Sequence, residues 1–313
     1  MLHLRLIPSD TKFPFMKMRG VAVIFSALLV VGSIIAFLTQ GLNYGIDFVG
    51  GTLIEVRTQD EPDIAGMRSS LDGLGLGEVS LQAFGDDNDV LIRIERQSEA
   101  EGEDAALTAA VQQALGEGVE LRRVEFVGPK VGGELREAAI LAVTIALVAI
   151  MFYIWFRFEW QYGVGAIVAL AHDVISTIGL FAVLQLEFNL ATVAAVLTIA
   201  GYSINDTVVV FDRVRENLRK YKKTEMRELL DLSINQTLSR TIMTSMTTLI
   251  AVVALFLFGG AVVHDFAGAM IWGIVIGTYS SIFVAGPLLI YMKVRSDGGT
   301  DDAPEGSEAA KAA

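Results

Sequence analysis

The chain has 313 residues, 53% of them hydrophobic and only 19% charged, with a net charge of −12 and a mean hydropathy of +0.52. That balance excludes an ordinary soluble enzyme and a disordered chain, and makes several membrane spans the first expectation. No cysteine and three histidines exclude a disulfide scaffold, an iron–sulfur cluster and a thiol nucleophile, and leave little material for a zinc site.

Residues 1–20 read as a cytoplasmic segment, with Arg5, Lys12, Lys17 and Arg19 ahead of an apolar run. That run extends from Gly20 to Ile46, too long for the h-region of a signal peptide, so a transmembrane helix is expected at 21–41. Residues 43–137 hold 20 acids and 8 bases against 16 of each elsewhere, so the acidity belongs to this segment and no basic nucleic-acid footprint exists. The segment reads as one small folded domain. Thr52–Thr58 alternates as a strand does, and Asp63–Leu74 has helical spacing. Strands at Glu78–Phe84 and Asp89–Glu95 are joined by a turn at 85–88. A helix at Glu103–Gly116 and a strand at Val119–Phe126 complete a βαββαβ order, the ferredoxin-like split unit. Gly73, Gly75 and Gly77 follow a helix instead of opening one, so they read as a turn and not as a phosphate loop.

Residues 138–292 hold five further spans, near Ala138–Phe156, Gly163–Gln185, Leu190–Phe211, Leu238–Gly260 and Phe266–Met292. Arg157, the cluster from Arg213 to Arg227, Lys293 and Arg295 mark the loops on one side, which places both termini in the cytoplasm and the 43–137 domain outside. Trp155 to Tyr162 reads as an aromatic belt, and Asp212–Leu230 as a basic amphipathic elbow on the cytoplasmic surface. Residues 293–313 read as a disordered cytoplasmic tail. The fold class is an α-helical integral membrane protein with six transmembrane helices and an α+β ferredoxin-like extracytoplasmic domain between spans one and two.

Ionisable side chains inside spans cost about 3 kcal/mol or more, so each needs a reason. Span three holds His172 and Asp173, span four Asp206 beside Asn205, and span five Arg240. Ser176 and Thr177, then Thr198 and Tyr202, then Thr244, Thr247 and Thr248 repeat around them at helical spacing. Facing one another, the three stripes enclose a hydrated seam. Asp206 and Arg240 differ in height by roughly 6 Å, within an arginine's reach. Two readings are open on the residues alone. Either Asp206 is a carboxylate whose proton affinity depends on whether Arg240 is docked, or the two form a static ion pair with polar glue around it. Asp173 is read as an accessory relay or helix-binding group, and His172 as a proton carrier or a hydrogen-bonded core residue. Gly273 and Gly277 give a GxxxG spacing, which close helix packing accounts for.

Six motifs in order resemble one family. They are Gly45-Ile-Asp-Phe-Val-Gly-Gly-Thr52 after the first span, Val127-Gly-Pro-Lys-Val-Gly-Gly-Glu134 before the second and Ala171-His-Asp173 in the third. Gly201-Tyr-Ser-Ile-Asn-Asp206 lies in the fourth, Asn235-Gln-Thr-Leu-Ser-Arg-Thr241 opens the fifth, and Gly277-Thr-Tyr-Ser-Ser281 lies in the sixth. Over residues 12 to 292 the sequence is similar to the SecF family, smaller membrane subunits of SecDF protein-export complexes in the RND superfamily. The resemblance implies half of an RND-type bundle, with SecD supplying the other half as an obligate partner. It also implies a multi-pass protein of the bacterial inner membrane that uses the proton motive force, with protons as the coupling ion and no other cofactor. Its work would be late steps of preprotein export after the SecYEG channel and SecA, with YajC and YidC as further partners and unfolded preprotein as substrate. In that family the aspartate and arginine matching Asp206 and Arg240 serve proton transport. The motifs carrying Gly45, Asp47, Gly50, Gly51, Gly128, Pro129, Gly132 and Gly133 flank the small domain and read as its hinges, or as rigid turns against SecD.

Other readings stay open at this point. The chain is also compatible with a structural subunit that braces its partner without proton coupling, or with half of a small-molecule RND exporter, although an 80-residue domain leaves little room for a binding cleft. An intramembrane protease built on Asp173 and Asp206 is remote. No nucleotide-binding loop is present, and the chain is expected to be no soluble catalyst and to hold no metal.

Overall fold

The computed structural model describes residues 11–77, 79–83, 88–95, 103–116, 118–292 and 294. Most of the expected turn at 85–88, the first ten residues and the expected tail from 295 lie outside that set. A 3-10 turn, Phe15–Met18, leads into α1 (Arg19–Gln40), β1 (Asn43–Tyr44) and the single-turn α2 (Ile46–Val49). Then come β2 (Gly51–Thr58), α3 (Ile64–Asp72), β3 (Val79–Ala83), β4 (Asp89–Ile94), α4 (Glu103–Leu115) and β5 (Val119–Val127). The rest is helical but for β6: α5 (Pro129–Arg157), α6 (Trp160–Leu184), β6 (Glu187–Phe188), α7 (Leu190–Lys220), α8 (Met226–Phe258) and α9 (Ala261–Ser280). A π-turn at Ser281–Ala285 joins α9 to α10 (Gly286–Tyr291). Six segments are long and apolar enough to cross a membrane, the sixth combining α9, the π-turn and α10.

The four strands β2 to β5 form one antiparallel sheet in the order β3-β4-β2-β5, with α3 and α4 as its crossovers. Alternation in β2 puts Ile54 and Val56 on one face, where they pack with Ile92, Ile94, Leu71 and Val111 beneath the helices. Asp63 caps α3, its Oδ1 accepting from the Gly66 N–H at 2.9 Å, a contact worth about 1 kcal/mol. On the opposite face Leu53 and Leu91 pack on Ile46 of α2, so the sheet has a second apolar contact there. At the end of the central strand pair Asp89 of β4 receives Nε and Nη2 of Arg57 of β2, both at 2.6 Å, and that guanidinium holds the carboxyl below the usual aspartate range.

Among the spans, α6, α7 and the α9–α10 segment form the interior, 50–61% buried, whereas α1, α5 and α8 lie outside at 6–17%. Close approach makes the interior possible. A Cβ on Gly273 would overlap the Ile199 side chain of α7, and one on Gly277 would come within 3.1 Å of Ser203 Cβ.

The helices outrun the apolar windows. α5 begins at Pro129, nine residues before the expected span, because Pro129 suits the first turn and the helix carries Lys130 to Glu137 out of the apolar zone. α7 continues to Lys220 and α8 starts at Met226, so the expected surface elbow over Asp212–Leu230 is instead two helix ends and a short link. Packing explains the difference: Val214, Leu229 and Leu230 are buried, and the buried Asn217 amide donates to Ser233 Oγ and Gln236 Oε1, both at 2.9 Å.

Candidate functional site

Asp173, fully buried on α6, is the most densely bonded carboxylate of the bundle. His172 Nδ1 meets its Oδ1 at 2.8 Å, while Ser203 of α7 and Ser280 of α9 donate to its Oδ2 at 2.5 and 2.6 Å. Ser176 and Thr177 return their hydroxyl protons to the Asp173 carbonyl. Three interior helices are thereby fastened to one side chain, at the level where α9 gives way to the π-turn. A π-turn leaves the ordinary helical hydrogen-bond pattern and is enriched at functional sites. His172 is buried beside it, and its Nε2 has no partner among the described residues.

Asp206 lies on α7 nearly one turn beyond Ser203. It is 6% exposed and its Oδ1 accepts from Thr241 Oγ1 at 2.6 Å. Its Oδ2 has no hydrogen-bond partner among the described residues. Next to it, Thr207 Oγ1 and Ser281 Oγ share a hydrogen bond of 2.9 Å, and Ser281 also donates to the Gly277 carbonyl at 3.0 Å. A band of hydroxyls thus runs between the two carboxylates.

Asp206 and Arg240, expected to pair, make no close ion pair among the described residues, although the Arg240 charge is near enough to act on the Asp206 carboxyl. Arg240 is exposed and makes no ion pair among the described residues. The reason is azimuth: adjacent helical residues point about 100° apart, and it is Thr241 that faces α7. The expected seam divides for the same cause. Ser176, Thr177, Ser203, Asp206, Thr207 and Thr241 are interior, while Thr198 and Asn205 of α7 and Arg240, Thr244 and Thr247 of α8 are exposed. The exposed threonines satisfy their hydroxyls on their own helix, Thr198 on the Ala194 carbonyl, Thr244 on that of Arg240 and Thr247 on that of Met243. Sequence reasoning missed Ser203, Ser280, Ser281, Thr207 and Thr241 as site residues. Part of the signal was there, since all but Thr207 lie inside the quoted motifs, and Ser203 and Thr207 lie within one helical turn of Asp206.

The two glycine motifs meet. Gly50 and Gly51 have φ of +76° and +130°, and a Cβ on Gly50 would come within 2.8 Å of Pro129 Cα. Gly128 precedes the helix, Pro129 opens it, and Gly132 faces the Gly50 backbone, whereas nothing lies near Gly133. Gly45 donates to the Phe188 carbonyl at 3.0 Å, and Asp47 accepts from the Leu190 N–H at 2.9 Å at the start of α7. The Arg93 guanidinium of β4 completes the mooring, donating to Asn43 Oδ1 and Glu187 Oε2 at 2.8 and 2.9 Å. Among the described residues no cluster of His, Asp or Glu suits a metal ion.

Two family descriptions match the chain: "Protein export membrane protein SecD/SecF, C-terminal" over residues 107–295 and "SecD/SecF GG Motif" over 35–61. Among curated proteins, a protein translocase subunit SecF of Vibrio alginolyticus is 45% identical over 94% of each chain. One of Rickettsia akari is 48% identical over 91% of this chain and 94% of its own. Among solved structures, the crystal structure of SecDF, a translocon-associated membrane protein from Thermus thermophilus, matches with a TM-score of 0.84 and 38% identity. It covers 92% of this chain, which spans only 40% of that larger one. A SecDF in a super-membrane-facing form, also 38% identical, matches at a TM-score of 0.64 over 91% of this chain and 39% of its own. The chain belongs to the SecD/SecF family of protein-export membrane proteins.

Proposed function

We propose that this SecD/SecF-family chain is the SecF half of a SecDF assembly, a multi-pass inner-membrane subunit that helps preproteins complete export. The observation that carries this reading is the exposed polar face of α7 and α8. A lipid-facing helix has no use for Asn205, Arg240, Thr244 and Thr247, and the SecDF chain that this one matches is more than twice its length. SecD is the partner that covers that face. The βαββαβ unit is read as a ferredoxin-like domain on the extracytoplasmic side, with both termini in the cytoplasm.

In this reading the coupling ion is the proton and its carrier is Asp206. One carboxylate oxygen is held by Thr241 and the other has no hydrogen bond of ordinary geometry among the described residues, only the Ser281 hydroxyl nearby, so a proton can come and go without breaking the bundle. Arg240, one residue from that threonine, points to the partner face, where docking of SecD decides how closely its charge approaches. Protonation at Asp206 then alters the α7–α8 face, and the fit to SecD with it. Asp47 and Glu187 join the outer end of α7 to the small domain, so the glycine knuckle at Gly50 and Gly132 is the joint about which that domain is set. SecYEG and SecA act before this step.

Preprotein export driven by a proton gradient in inverted vesicles tests the reading. Vesicles lacking the native subunit are supplied with wild type, Asp206→Asn or Arg240→Met, and co-purification with SecD is checked in each. Loss of only the gradient-dependent component in both variants is expected. Normal export by both would make the chain a bracing subunit, a reading that the multiply bonded Asp173 network also favours, and would move the proton path to the partner.

A further inference from the structure

At the end of α5 away from the small domain, an open cavity of about 490 Å³ is lined by Arg157, Asp212, Arg215, Glu216, Arg219 and Lys220. Its two acids are already engaged. Asp212 takes two bonds from Arg157 Nη2 at 2.8 and 2.9 Å, and Glu216 one from Arg213 at 2.9 Å. Arg215 makes a long ion pair with Asp212 at 4.0 Å, donates to the Arg157 carbonyl at 3.4 Å and lies over the Phe158 ring at 5.4 Å, while Lys220 lies over Tyr221 at 5.1 Å. Arg219 is exposed and without an ion pair among the described residues. Arg219 and Lys220 therefore have no carboxylate partner among the described residues, and Arg215 only a long one that it shares with Arg157.

The surroundings are apolar in a directed way. Trp155, Phe156 and Trp160, next to Arg157 in sequence, are 75%, 87% and 60% exposed at the same end of α5, where an interfacial belt belongs. From Phe156 a stripe of exposed apolar side chains, Phe152, Val148, Ile145 and Leu141, continues along one face of α5 through the span. A cationic cavity opening onto an apolar track fits a ligand with an anionic head and a hydrocarbon tail.

We infer that this cavity binds the phosphate of an anionic phospholipid, with Arg215 and Arg219 as its charged contacts and the α5 stripe as the track for an acyl chain. The chain's three tryptophans make the test direct. With Trp272→Phe, and with any tryptophans of the SecD-type partner replaced, Trp155 and Trp160 report alone from the assembled complex. Dibrominated phosphatidylglycerol and dibrominated phosphatidylcholine, at equal mole fraction in otherwise unlabelled bilayers, are compared as quenchers. The anionic lipid is expected to associate about fivefold more strongly, the worth of one well-placed cation. In Arg215→Gln/Arg219→Gln that preference falls to none, with quenching by the zwitterionic lipid unchanged as the check on fold. Arg219→Gln alone, which breaks no ion pair among the described residues, is expected to lower the preference by half or more. Equal quenching by the two lipids in wild type, or a preference that survives both substitutions, overturns the assignment. Recovery of fluorescence on adding millimolar inorganic phosphate overturns it too, since the site then takes a free anion and not a lipid.

Discussion

The two buried aspartates differ in what holds them, and the difference separates a fastener from a carrier. Asp173 accepts on both oxygens, from three side chains on three helices. Asp206 has one bond, from Thr241, and a second oxygen with none among the described residues. A carboxylate satisfied on every side is costly to disturb, because any change strands buried donors. One left half open can change its proton at small structural cost, and the exposed face that carries Arg240 lies beside it.

Substitutions break or sharpen that contrast. The largest effect is expected from Asp206→Asn, which removes the gradient-dependent part of export altogether while leaving thermal stability of the complex within about 1 kcal/mol of wild type. Asp173→Asn should do the reverse. It turns an acceptor into a donor opposite two serine hydroxyls or opposite His172, and is expected to cost about 2 kcal/mol or more, read as a lower melting temperature and poor recovery of the complex. Equal stability of the two variants would end the distinction between them. Ser203→Ala and Ser280→Ala each remove one of two donors to the same oxygen and should cost about 1 kcal/mol. Because the surviving serine remains, the double variant is expected to lose more than the sum, which a double-mutant cycle measures.

The smallest effect belongs to a third carboxylate, outside the membrane. Asp89 is held below the usual aspartate range by Arg57. Its contribution is therefore complete above the unfolded value near pH 4 and is lost as the pH falls through the lower folded value. About 1 kcal/mol of domain stability should disappear on that acid limb, and Asp89→Asn should flatten it. Export at neutral pH is expected to stay unchanged in that variant.

Much of this was legible in the sequence. The four strands of the sheet and their two crossover helices fall within three residues of their expected bounds, since alternation and helical spacing are local properties, whereas the short β1 and α2 were not expected. Asp173 and Asp206 stood out because charge in an apolar run is expensive. What a linear reading could not give was azimuth. Height alone joined Asp206 to Arg240, but rotation by one residue gives the contact to Thr241 and turns the arginine outward. Serines at 203, 280 and 281 are unremarkable in composition and acquire meaning only where Gly277 lets α9 lie against α7. The charged stretch after Phe211 concealed a continuing helix, because hydropathy registers the end of the membrane and not of the hydrogen-bond ladder.

The two-residue parallel pair of β1 and β6, with Asp47 bonded to Leu190 143 residues away, imposes an order on synthesis. All four strands of the sheet come from residues 51–127, so the small domain has everything it needs to fold as soon as those residues have been made. Its mooring does not exist until the ribosome has delivered α6, β6 and the first turn of α7. During that interval a folded domain hangs between two unsecured helices, and the apolar face formed by Ile46, Leu53 and Leu91 waits for the surface beside it to be made.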